Sequence, residues 1–133
     1  MPRKSSDSVA AISGTLCHLL WGDQIWMSRF DGWTKPAIAQ KDSSSLIATF
    51  DDLRELRFKT DAGISEWAAR INDNWIQQDQ SWVSISTGCE MRMSRGVLIA
   101  HFFNHQTHHR GQAHAMITAM GEQVGDTDLF LLV

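Results

Sequence analysis

Residues 94–120 read SRGVLIAHFFNHQTHHRGQAHAMITAM, and this stretch decides the fold. Stepping by threes and fours from Leu98 meets Phe102, His105, His109, Ala113, Met116 and Met120, the period of an α-helix with one buried stripe. Its length of about 27 residues corresponds to roughly 40 Å of helix. Gly121 supplies the stop. Working outward, Val9, Ile12, Leu16, Leu19, Leu20, Trp26, Met27 and Phe30 repeat the same period and predict a helix over Ser8–Phe30, with Asp7 or Ser8 as its cap. Phe50, Leu53, Ile64, Trp67 and Ile71 predict another helix over Thr49–Ile71. Thr49 and Asp52 there form a variant capping box, and Gly63 weakens the middle. Asp31 to Ser45 has proline, three consecutive serines and no period, so it reads as a long loop that borders a site. Between Trp82 and Ser94 the pattern alternates around Thr87-Gly88-Cys89, which predicts two short strands or extended arms. The class is all-α with a small extended or β-hairpin element near 82–94.

The chain has 133 residues, with 15 acidic and 12 basic side chains for a formal charge of -3. This length predicts a single domain over 1–133. A composition of 43% hydrophobic and 20% charged residues is that of a soluble globular protein, and no basic run points to nucleic acid. The best apolar window, Val9 to Phe30, is broken by His18 and Asp23, so no membrane span is expected. Met1 to Asp7 reads as a frayed terminus rather than a signal peptide. Cys17 and Cys89 lie far apart with no CxxC pairing, which argues against a disulfide framework and for a reducing cytoplasm. Six tryptophans, mostly at core spacing, accompany a complete lack of tyrosine. Five of the six histidines fall between His101 and His114.

His105 and His109 occupy the middle of the last helix's core stripe. Side chains four apart on a helix point the same way with roots about 5 to 6 Å apart. Two imidazoles that share one tetrahedral ion need nitrogens roughly 3.4 Å apart, so the spacing suits a metal. Such pairs also occur as solvated or core-satisfied residues, and spacing alone leaves both readings open. His18, in the middle of the first helix among Leu16, Leu19, Leu20 and Trp21, reads on its own as a core histidine. Set opposite His105 and His109, it would complete a three-histidine site with an open position, the form of a catalytic rather than a sealed site. His101, His108 and His114 read as bland positions, His101 being placed to act one layer out. Ligating imidazoles usually donate their second N–H, which makes Asp23, Asn104 and Gln112 the candidate orienting groups. A surface or capping role fits Asp23 equally well. Cys17, next to His18, points about 100° away and reads as packing.

The run Ala100-His101-Phe102-Phe103-Asn104-His105-Gln106-Thr107-His108-His109-Arg110-Gly111-Gln112 resembles the signature of the DinB (damage-inducible) family, which groups with bacillithiol transferases and mycothiol-dependent maleylpyruvate isomerases. Gly14 to Met27, with Cys17-His18-Leu19-Leu20-Trp21 at its centre, is similar to the family's second helix, so the resemblance covers nearly the whole chain. It implies a four-helix bundle that holds a divalent ion on His18, His105 and His109, the ligands that spacing also selects. In the family a further helix precedes the one that carries the first histidine, and this chain starts only a few residues before it. Three long helices are therefore expected, with a groove along Ile12, Leu19 and Met116 where the fourth would lie. A partner subunit in a homodimer would cover such a groove.

The resemblance implies a metal-dependent thiol transferase or hydrolase acting on a small molecule, with a low-molecular-weight thiol as one candidate substrate. The alternative is a non-catalytic, stress-associated module in which the ion stabilises the bundle, or histidines buried without metal. Three imidazoles and a water suit zinc or nickel first, and iron or manganese after them. Specificity would sit on Asp31–Ser45, on the arms of Trp82–Ser94 and on the tail of Val124–Val133, none of which carries a motif.

Overall fold

The computed structural model describes residues 2–133, and side-chain surroundings from residue 6 onward. Its elements are α1 (Pro2–Asp31), α2 (Phe50–Arg70), a one-turn α3 (Asp73–Ile76), strands β1 (Asp79–Val83) and β2 (Glu90–Ser94), and α4 (Arg95–Ala119). Two 3-10 turns, Gln40–Ser45 and Leu129–Leu132, lie in the long loop and the tail. The three long helices and the extended element are those the periodicity predicts. No helix among the described residues is long and apolar enough to cross a membrane.

Local chemistry explains most element ends. Thr49 Oγ1 accepts from the Asp52 N–H at 3.2 Å, as the capping pattern predicts. Ser94 caps α4 by accepting from the Val97 N–H, and Gly121 follows that helix at φ +93, where a side chain would be strained. The start of α1 differs from expectation. Residues 2–7 are helical, Asp7 and Ser8 lie inside the helix rather than at its cap, and Met1 is outside the described residues. Proline is well suited to a first helical turn, since its missing N–H has no partner there in any case. The sequence reading also missed α3, which Asn72 caps by accepting from the Trp75 N–H at 3.0 Å. The arms form an antiparallel hairpin in which Asp79 faces Ser94 and Val83 faces Glu90.

α1 and α4 run antiparallel. Phe30 meets Phe102 at the lower end, Asp23 meets Gln106 midway, and His18 meets His109 higher up. Met27, Phe30, Trp67, Leu98 and Phe102 form the main core, with Phe30 and Trp67 stacked at 5.5 Å between ring centres. Such a pair adds about 0.5–1.5 kcal/mol beyond its buried area. A second cluster of Cys17, Leu20 and Leu53 joins α1 to α2 above it, so Cys17 packs as expected. Phe50, by contrast, is exposed at the first turn of α2, ahead of the point where that helix meets α1. The expected groove is interrupted. Leu19 is only 5% exposed and lines a small pocket together with Arg57 of α2 and Arg110 of α4, while Ile12 and Met116 are half-buried.

Candidate metal centre

Three histidines that are far apart in sequence meet where α1 crosses α4. The ring centre of His18 lies 5.3 Å from that of His105 and 4.5 Å from that of His109, and His105 and His109 are 4.5 Å apart. One nitrogen from each ring lies within 4.8 Å of the other two, near enough for one ion to hold all three. All three rings are half-buried. The helical step of four places His105 and His109 side by side, and the antiparallel packing of α1 brings His18 across to them.

Hydrogen bonds fix two of the rings. His18 Nδ1 lies 2.8 Å from Ser43 Oγ, and Ser43 is buried in the first 3-10 turn. His109 Nδ1–H donates to Gln112 Oε1 at 2.8 Å, since an amide oxygen can only accept. In His109, Nε2 is then free to donate its lone pair to an ion, while the Ser43 hydroxyl, which can donate or accept, holds the His18 ring in place. His105 is held by packing instead. It sits against Gly22 of α1, where an added Cβ would lie 2.8 Å from its Cε1, so only glycine allows this approach.

Electrostatics favour neutral rings. Burial pushes the His105 pKa down from the ordinary 6.5 to about 4, and the neighbouring His109, His18, His101 and His108 push the same way. Burial also lowers His18, with His109 adding to the effect. His105 and His18 are therefore neutral at pH 7 and offer lone pairs to a cation without losing a proton.

Of Asp23, Asn104, Gln112 and the outer-layer candidate His101, Gln112 is the one that hydrogen-bonds a histidine of the trio among the described residues. Asp23 is committed elsewhere. Its carboxylate is buried between helices, where Gln106 Nε2 donates to Oδ1 at 2.9 Å and Arg57 Nη1 lies 2.7 Å from Oδ2 as an ion pair. Burial raises its pKa and Arg57 opposes that rise. Asp23 therefore ties α1 to α2 and α4 and does not orient an imidazole. Asn104 is exposed on α4, and His101 packs its ring edge-on against Trp26 at 5.4 Å. His108 is exposed and lies outside the trio but packs edge-on against His109 at 4.9 Å, and His114 is half-buried outside it. The sequence reading missed Ser43 and Gly22. The serine run near the expected site was the available signal for the first, and a glycine four residues after His18 on the same helix face was the signal for the second.

A cavity of about 300 Å³ opens beside the cluster, walled by His18, His105 and His101, by Trp21, Gly22, Ile25, Trp26 and Arg29 of α1, and by Trp82 and Ser84–Ser86 of the hairpin. A more open depression touches the other side of the cluster at His18 and His109, with Ser43, Ser44 and Gln112 on its rim.

The family model of the DinB family matches residues 2–132. The chain belongs to the DinB family. No curated protein and no solved structure matches it. This DinB-family chain carries a three-histidine group that could hold a metal ion, on the three residues that spacing and resemblance both select.

Proposed function

We propose that this DinB-family chain is a metal-dependent enzyme acting on a small molecule, a thiol transferase or a hydrolase, with His18, His105 and His109 as ligands. The observation that carries this reading is that two of the three histidines, His18 and His105, open onto a cavity and all three are only half-buried, rather than forming a sealed knot. A structural site closes its coordination sphere with protein, whereas a catalytic one keeps a position open. A divalent ion there would supply Lewis acidity, lowering the pKa of a thiol or a water so that a nucleophile exists near pH 7. The chain's own residues do the rest. Gln112 holds His109 in the tautomer that presents Nε2, Ser43 fixes the position of the His18 ring, Gly22 lets the third approach, and Trp21, Ile25 and Trp26 line an apolar wall.

The test is elemental analysis of untagged protein with the variants His18→Ala, His105→Ala and His109→Ala. About one metal per chain, lost in each variant, is the expected result. Turnover that depends on both the ion and an added thiol assigns the transferase branch, and turnover with water alone assigns the hydrolase branch. A wild-type protein that takes up no zinc or nickel on incubation refutes the reading. A metal-loaded protein whose ion exchanges no water supports the structural module instead.

A further inference from the structure

We propose that the cavity beside the three histidines takes a small-molecule carboxylate, and that Arg29 is the residue that holds the carboxylate group. The inference rests on the metal reading only for where the other end of the molecule lies. His18 and Arg29 are about three turns apart on the same face of α1, roughly 16 Å along the axis. The arginine leans back toward the histidines, with Cζ 4.4 Å from the ring centre of Trp26 and 5.5 Å from that of Trp82. Arg29 therefore shares one cavity with His18 and His105, set apart from them along α1.

Three observations point to an anion at the arginine. Among the described residues no carboxylate pairs with Arg29; the nearby Asp31 is taken by Arg70 and by the Trp33 N–H. Burial lowers its pKa, so the cation is partly stripped of water without a protein counter-charge in return. Its Cζ lies over the faces of both indoles, and among the described residues no hydrogen bond takes up its N–H donors. Those donors match a carboxylate in a two-bond fork. Arg29 is the one permanently charged side chain in the wall, so a monoanion is matched where a phosphate dianion would be left half-compensated. A volume of about 300 Å³ lies at the lower end for small-molecule sites, and Trp26, Trp82 and Ile25 offer the body of the ligand an apolar surface.

The experiment titrates the full chain, zinc-loaded and metal-stripped, with phenylacetate and with phenylacetamide, its uncharged counterpart, by calorimetry and tryptophan quenching. The wild type is expected to prefer the carboxylate in both metal states. Arg29→Gln is expected to weaken phenylacetate by about ten- to hundredfold, leaving the amide's affinity and the zinc content unchanged. Arg29→Lys, which keeps the charge without the fork, falls between, and it decides the matter if the glutamine variant does not fold. Equal affinity for the two probes in the wild type, or unchanged phenylacetate affinity in the arginine variants, overturns the inference. A preference that vanishes when zinc is stripped assigns the carboxylate to the ion and also overturns it. Zinc content, measured on the same samples, judges the metal reading separately.

Discussion

Replacing Gly22 with alanine should unseat His105 while leaving the metal-free fold nearly as stable as before. The new Cβ would stand 2.8 Å from Cε1, 3.3 Å from Nδ1 and 3.7 Å from Nε2 of the imidazole. Carbon atoms rest at about 3.5–4.0 Å from one another, so the ring must withdraw by about 1 Å. Alanine favours a helix interior over glycine by about 0.8–1.0 kcal/mol, which offsets much of the about 1–3 kcal/mol that overpacking costs. The ligand set has no such compensation, because a ring moved by this much no longer points where the other two meet. Lost support around a metal ligand typically weakens affinity about 10- to 100-fold. The assay is competition for zinc against a chromogenic chelator, paired with thermal melts of metal-free and loaded protein. The loaded variant should lose most of the metal-induced rise in melting temperature while the metal-free melts nearly coincide. Zinc affinity equal to wild type in Gly22→Ala would refute the placement of His105 against Gly22 as a ligand.

Acid should destabilise the metal-free protein well before carboxylates titrate. Unfolded histidine binds its proton near 6.5, whereas folded His105 does so only at about 4, so the unfolded state holds more protons between these values and stability falls as pH drops through that window. His18, also lowered, adds in the same direction. The shift alone corresponds to about 3 kcal/mol, and water around the half-buried rings reduces this; urea midpoints that stay flat from pH 7 to about 4 would contradict it. Arg57→Ala strands the buried Asp23 carboxylate and should cost about 3–5 kcal/mol in urea unfolding at neutral pH, since one charge of a buried pair is removed. Asp23→Asn in the same background should recover part of that loss, and no recovery would mean that the ion pair is not what Arg57 contributes.

The long helices were legible because each needs only its own period. Leu98, Phe102 and Ala113 are buried where the stripe of α4 puts them, and Thr49 announces the helix it caps. His18, His105 and His109 were legible for a related reason, since the step of four orients two of them and their oddity in an apolar stripe calls for a third. What the sequence hid depends on contacts between elements. Asp23 looked like a partner for a histidine, but a carboxylate in α1 gives no sign that Arg57, in another helix, will reach it first. Ser43 sits in a segment without periodicity, and its role appears only once the 3-10 turn is folded against α1. Arg29 reads as a basic residue in the last turn of a helix, and the two indoles beside it come from residues that no local pattern connects.

The hairpin divides labour within the molecule. Trp82 anchors it to Trp26 of α1, while its tip, Ser84–Cys89, is closed by its own backbone bonds, Ser84 N–H to Cys89 O and Gly88 N–H to Ser84 O, each at 2.8 Å. Ser84–Ser86 wall the cavity yet contribute nothing to the two hydrophobic clusters. Lengthening or rewriting this tip would reshape the cavity wall without touching a histidine of the trio or a core side chain, since surface turns tolerate insertion at little thermodynamic cost. The residues that shape the mouth-side wall of the cavity and the residues that fold the core thus lie on separate stretches of chain.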